Sequence, residues 1–191
     1  MPAIDIGKCM ERYVLHINKD VTLELLSLNH RDELFALVDA NREYLRAWLP
    51  WLDGNTSPAD TEKFIKAATL QYEAGMGPQY AIFHRSDLCG VCGFHEMDHN
   101  NRVGSIGYWI GQEYSGKGIM TQSVKTLIEV GFTQYKLNRI EIRCAVENHK
   151  SRAIPERLGF QLEGVLRQKE NLYGEFVDLA LYSLLAAPMS A

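Results

Sequence analysis

Apolar side chains between residues 13 and 28 fall in two short extended runs on either side of Asn18-Lys19-Asp20, which predicts a β-hairpin at the start of the fold. Leu34, Phe35, Val38 and Leu45 then recur at near-helical spacing, and this helix should close at Trp48-Leu49-Pro50, because proline disfavours helix in the residue before it. A second helix is expected from Ser57-Pro58-Ala59-Asp60, with serine as cap, proline in the first turn and a carboxylate three residues on. Ile65, Ala68, Thr69 and Tyr72 make its inner stripe. After a break at 75–78, the runs Tyr80–His84, Cys89–Met97 and Val103–Ile110 read as an antiparallel meander with polar turns between them.

A glycine-bearing loop at 111–118 leads into a stronger helical pattern, with Met120, Val124, Leu127, Ile128, Phe132 and Tyr135 on one face. Arg139–Val146 alternates as a strand after it. A strand, helix and strand of these lengths form a right-handed crossover, so strands 103–110 and 139–146 are expected to be parallel. A last helix fits Ser151–Leu158, closed by Gly159, and two final strands fit Phe160–Arg167 and Phe176–Leu184, with 171–175 between them. The expected fold class is mixed α/β, with a mostly antiparallel central sheet flanked by helices. One domain should cover residues 1–191, since nothing in the chain reads as a repeat, linker or low-complexity segment.

Composition narrows the class without naming it. With 46% hydrophobic and 23% charged residues the chain is ordinary globular material, and a net charge of −4 argues against a surface that holds nucleic acid nonspecifically. Met1–Arg12 lacks a continuous apolar stretch, so no signal peptide is expected, and no apolar run approaches membrane-spanning length. A cytoplasmic protein is the resulting expectation, with Cys9, Cys89, Cys92 and Cys144 as reduced thiols.

The loop carries the first chemical signal. Gly116 and Gly118, one residue apart between a strand and a helix start, let successive backbone N–H groups point at one anion, with the helix N-terminus adding its positive end. Gly111 to Gly118 nearly spells a nucleotide-triphosphate loop, but Gly118 stands where a hydroxyl would hold magnesium. A dinucleotide fingerprint lacks its third glycine. An ordinary connecting loop is the third reading.

Two further stretches decide between these readings. Tyr108-Trp109-Ile110, the loop from Tyr114 through Thr121, and the stretch from Asn148 to Phe160 together resemble the GNAT superfamily of N-acetyltransferases, and within it the RimJ/RimL-type group that acetylates N-termini of ribosomal proteins. The resemblance spans essentially the whole chain. One departure is Glu113, where the superfamily loop often has Gln or Arg. The resemblance implies a GNAT fold, with the parallel strands splayed at the sheet centre, and acetyl-CoA as cosubstrate with no metal. It implies that the pyrophosphate sits on amides of Ser115, Gly116, Lys117, Gly118, Ile119 and Met120, with the pantetheine arm held by Trp109, Ile110 and Asn148. It also puts Ser151 in the role of acid for the leaving thiolate and Glu170 in that of base for the amine. Tyr44, Trp48 and Trp51 then belong to the acceptor site, with Glu43, Asp53 and Glu175 as nearby negative charge.

The residues alone give plainer readings beside these: Ser151 as a helix cap, Glu170 as a solvated charge, and the aromatics as core. An α-amino group, with a pKa of about 7.7 to 8.0, is partly neutral already, so a weak carboxylate acting through water suffices as its base. The acceptor is expected to be a protein N-terminus, with a polyamine or aminoglycoside as the alternative and a non-catalytic acyl-CoA sensor as a different class. A homodimer is compatible with the sequence, and no nucleic-acid or membrane contact is expected.

Two motifs point elsewhere. His95-Glu96-Met97-Asp98-His99 matches a zinc motif that works on a helix, but in an extended chain the histidines would stand about 13 Å apart. Cys89 and Cys92, three apart in a strand, should face opposite sides unless a bulge intervenes.

Overall fold

The computed structural model describes residues 14–187; Cys9 and the Met1–Arg12 segment lie outside them. Strands β1 (Val14–His16) and β2 (Val21–Leu25) form the expected hairpin, tightened where the Asn18 side chain accepts from the amides of Asp20 and Val21. They are followed by α1 (Arg31–Ala40), α2 (Arg42–Arg46) and α3 (Pro58–Glu73). The meander is β3 (Gln79–His84), β4 (Asp87–Asp98) and β5 (Val103–Ile110). Then come α4 (Ile119–Thr133), β6 (Arg139–Ala145), α5 (His149–Arg157), β7 (Gln161–Leu172) and β8 (Glu175–Leu185). The strands form one sheet in the order β1-β2-β3-β4-β5-β6-β8-β7, antiparallel everywhere except between β5 and β6.

α4 packs Val124, Leu127 and Ile128 onto one face of the sheet, against Phe94, Ile106, Ile140 and Ile142. α1 and α3 cover the other face of its first half through Leu34, Leu37, Ile65 and Ala68, which meet Ala81 and Val91. At the far end, the Tyr182 hydroxyl on β8 donates to Glu156 at 2.7 Å and accepts from Arg152 at 2.9 Å, fixing α5 to the sheet.

The structure departs from the sequence expectations where side chains outvote periodicity. The first long helix is two, broken at Asn41, whose amide donates to the Leu37 carbonyl while its oxygen accepts from the Gln112 amide at 2.8 Å. At α3, Ser57 stands at the N-cap as expected, but its hydroxyl donates to Asp60 instead of accepting from a helix amide, and Thr61 rather than Thr69 is buried. α5 begins at His149, two residues early, because Asn148 and not Ser151 is the cap. β7 runs on to Leu172, so Glu170 lies in a strand instead of a polar loop.

Both decoy motifs meet bulges. The register of β3 with β4 skips Cys89, since Leu88 pairs with Phe83 and Gly90 with Ile82, which turns Cys89 and Cys92 into the same core. Both are free thiols, and the Cys89 Sγ donates to the Ile82 carbonyl. β4 stays extended through His95 to Asp98, and the two histidines part: the His95 ring lies on Gly107, while the His99 ring is 3.0 Å from the Gly75 carbonyl oxygen.

Candidate functional site

The parallel ladder is short. Val103, Gly104 and Ser105 pair with Arg139, Ile140 and Glu141, and beyond them β5 and β6 separate. Each is held from its other side, β5 by β4 up to Ile110 and β6 by β8 up to Ala145, so the facing edges diverge into a fork. Backbone groups along such an edge are open to an extended guest that pairs as a strand does.

The loop after β5 stands at the mouth of the fork. A single turn at Gln112–Tyr114 ends in extended Ser115; Gly116 (φ 78°) and Gly118 (φ 77°) then take left-handed conformations that only glycine adopts freely. Gly118 directly precedes α4, whose first recorded backbone bond runs from Gln122 to the Gly118 carbonyl at 3.1 Å. The amides of 119–121 therefore have no partner within the helix and point, with the positive end of its dipole, at one spot. Such a set of converging amides is of the kind that can cradle a phosphate.

A cavity of about 660 Å³ runs from that cradle into the fork. Of the expected site residues, Ser115, Gly116, Gly118, Ile119 and Met120 form its loop end, Trp109, Ile110, Asn148 and Ser151 its fork walls, and Tyr44 and Trp48 its far wall. Lys117, Trp51 and Glu170 do not line it. The Lys117 ammonium lies 5.4 Å from the centre of the Tyr114 ring, and Trp51 packs behind the wall, 6.0 Å from the Trp109 ring at 56°. Glu170 sits on β7 opposite Val177, half-buried, and burial raises its carboxyl pKa above the ordinary value. The three carboxylates read as acceptor charge are absent from the wall as well, and Asp53 is held by Arg46 at 2.8 and 2.9 Å.

Asn148 and Ser151 act as a pair. The Asn148 side-chain oxygen accepts from the Ser151 amide at 3.1 Å, which caps α5 and leaves the Ser151 hydroxyl for other partners. That hydroxyl donates to the phenol of Tyr108, which is partly buried and has its pKa raised by desolvation. Tyr108, Lys150 and Arg157 also line the cavity and were not singled out from the sequence, where they lay only within the stretches that carry the resemblance. Among the described residues, no carboxylate lines the cavity. Among the described residues, no group of three His, Cys, Asp or Glu side chains is placed to hold a metal.

The profile of the acetyltransferase (GNAT) domain matches residues 20–161. YdaF of Bacillus subtilis (strain 168) is 38% identical over 91% of this chain and 95% of its own length. The ribosomal-protein-serine acetyltransferase of Escherichia coli (strain K12) is 30% identical over 88% of this chain and 94% of its own. Among solved structures, RimL, a ribosomal L7/L12 α-N-protein acetyltransferase in complex with coenzyme A, superposes with a TM-score of 0.87 at 30% identity, covering 90% of this chain and 97% of that one.

Proposed function

This chain belongs to the acetyltransferase (GNAT) domain family, and from that premise we propose that its acceptor is the α-amino group of a protein N-terminus, on a ribosomal protein. It is an acetyl-CoA-dependent N-acetyltransferase. The observation that carries the choice of acceptor is the cavity wall: Tyr44, Trp48, Leu49 and Trp109 face the opening, with Lys150 and Arg157 as the charges and no carboxylate. A polyamine brings several positive charges and calls for acidic partners, which this wall lacks; a peptide end brings one amine and apolar or polar side chains that an aromatic wall accepts. The names of the ribosomal relatives support the same reading.

The chain's own residues divide the work as follows. The amides of Gly116 to Met120 hold the pyrophosphate, and the backbone of Trp109 and Ile110, faced by Asn148, holds the pantetheine arm. The thioester supplies an activated acetyl group. A backbone N–H near Trp109 or Ile110 steadies the carbonyl oxygen as negative charge develops there. The Ser151 hydroxyl, held by Tyr108, turns to pass its proton to the leaving thiolate and regains one from the attacking amine, while Glu170 draws the amine's other proton through water. The cytoplasm is the compartment we assign to it; no helix among the described residues is long and apolar enough to cross a membrane.

The test is mass spectrometry of cell-extract proteins incubated with the enzyme and isotope-labelled acetyl-CoA. Label on the N-terminal residue of a ribosomal protein is the expected result. Label confined to polyamines or other small amines would replace the proposed acceptor.

A further inference from the structure

β4 carries a bulge within its second half. Phe94 pairs with Ile106 and Glu96 with Ser105, so His95 has no residue opposite it. Phe94 and Met97 both point into the core, at 0% and 4% exposure, and the inserted residue sends His95 and Glu96 together to the opposite face. From there the imidazole reaches across β5. A β-carbon built on Gly107 would lie 2.1 Å from both Cε1 and Nε2 of His95, so the ring fills the volume that any side chain at 107 would need. A glycine at this point of β5 has a steric reason, and that reason is the histidine.

The place matters because of what adjoins it. Gly107 is two residues beyond Ser105, the last residue of β5 paired with β6, and it directly precedes Tyr108. The ring therefore stands over the root of the fork. The cavity wall on β5 begins at Tyr108, so neither Gly107 nor the exposed His95 lines it; the ring stands just past that wall, over a residue about 7 Å along the strand from Trp109, where the reacting carbonyl is held. The face is the acceptor's: Gly107 and Trp109 share it by strand alternation, and Trp109 packs there against the cluster that includes Tyr44.

The charged groups around the ring come from two strands. Glu96 lies beside it on β4; Arg143 on β6 is bound to Glu141 at 3.0 Å and stands 3.9 Å from Glu96; the residues β5 offers on this face, Ser105, Gly107 and Trp109 among them, are uncharged. Packing against the sheet lowers the imidazole pKa, with Glu96 opposing and Arg143 adding to the effect, so the ring is neutral and has a free lone pair near pH 7.

We propose that His95 is the direct proton acceptor on the amine side of the transfer, working beside the solvent-borne route to Glu170. The incoming ammonium gives one proton to the imidazole, which becomes imidazolium. The freed amine lone pair forms the new C–N bond as the C–S bond breaks, the amine's second proton neutralises the leaving thiolate by way of Ser151, and the imidazolium returns its proton to solvent. This rests on the acyl-transfer reading above and adds to it the group that touches the acceptor.

Three measurements on the whole chain test it. His95→Gln should lower kcat at pH 7 roughly tenfold or more, while the acetyl-CoA Kd from calorimetry stays within about twofold. In proton NMR, the Cε1–H signal that His95→Gln removes should shift when an acceptor peptide is added to the CoA-loaded protein. Gly107→Ala, which displaces the ring without altering its chemistry, should lower kcat in the same direction. Unchanged kcat in His95→Gln, an unmoved His95 signal, or a loss of acetyl-CoA affinity equal to the loss in kcat would each overturn the proposal. Spermidine run in parallel separates this from the acceptor reading: if wild type acetylates spermidine and no peptide, that reading falls and His95 is judged on spermidine. If neither is acetylated, a His95 signal that moves with neither amine overturns the present proposal too.

Discussion

The Tyr108 phenol and Ser151 are joined twice across the fork: the phenol donates to the Ser151 carbonyl at 3.0 Å, and the Ser151 hydroxyl donates back to the phenol oxygen at 3.3 Å. Both bonds tie β5 to the first turn of α5, and the second fixes the Ser151 hydroxyl at the cavity wall.

Ser151→Ala should therefore cost activity and not stability. A kcat lowered about tenfold or more, with a Tm shifted by no more than a degree or two, is the expected outcome of steady-state kinetics and thermal melts. Asn148→Ala should do the reverse in stability, losing about 1 kcal/mol with the cap, and should weaken acetyl-CoA binding as well. A large Tm loss in Ser151→Ala with Asn148→Ala unaffected would reverse these two assignments.

For Glu170, replacement by Ala should lower kcat far more than acetyl-CoA affinity. Its raised pKa also fixes the sign of its effect on folding. The native state holds this proton more tightly than the unfolded chain, so stability falls as pH rises from the ordinary glutamate value through the native one, and the cost persists at neutral pH. Glu170→Gln should then be slightly more stable than wild type at pH 7 and lose that advantage below pH 4, as denaturant titrations at the two pH values will read.

At the cradle, Gly118→Ala meets open space, the nearest atom being Gln122 Nε2 at 3.8 Å, so any effect comes from the backbone. A left-handed alanine costs about 1–2 kcal/mol, and relief of that strain would rotate the amides away from the phosphate. Acetyl-CoA Kd should rise about tenfold, a factor equivalent to roughly 1.4 kcal/mol, with a smaller change in kcat. Calorimetric binding equal to wild type would remove the loop from the phosphate site.

Acid stability should depend on a pair on the far half of the sheet. Arg139 grips Glu163 through two 2.6 Å bonds and Ser183 adds a third, which together hold the Glu163 carboxyl down at about 2. This stabilisation is present above the ordinary glutamate pKa and disappears as pH falls toward 2. Glu163→Gln should flatten the loss of stability between pH 4.5 and 2 in wild-type melts, and an unchanged slope would place the acid sensitivity elsewhere.

The thiols should be inert. Burial pushes Cys89 up to about 12 and Cys144 to about 11, and holds Cys92 higher still, so at pH 8 few exist as thiolate. Alkylation of these three in the folded protein should run at least about a hundredfold slower than for a free thiol, as peptide mapping after timed iodoacetamide exposure will show.

Sequence by itself determined the order of elements, the parallel crossover and the glycine loop that opens α4, because each follows from neighbours in the chain: apolar spacing chooses helix or strand, and paired glycines before a helix aim their amides together. It also supplied most of the cavity wall. What it left open depends on partners far away in the chain. Asn148 as cap, which frees Ser151 for Tyr108, involves a choice between two polar residues three positions apart that only the packing of α5 on β6 and β8 makes. The bulges at Cys89 and His95 shift side-chain facing by one residue, and no local pattern signals them, since alternation reads the same until the opposite strand fixes the register. Glu170 likewise left the expected loop because β8 pairs with β7 past a further irregularity between Leu166 and Glu170. Facing and proton placement are thus tertiary properties, decided by which strand lies alongside and how closely its backbone can approach.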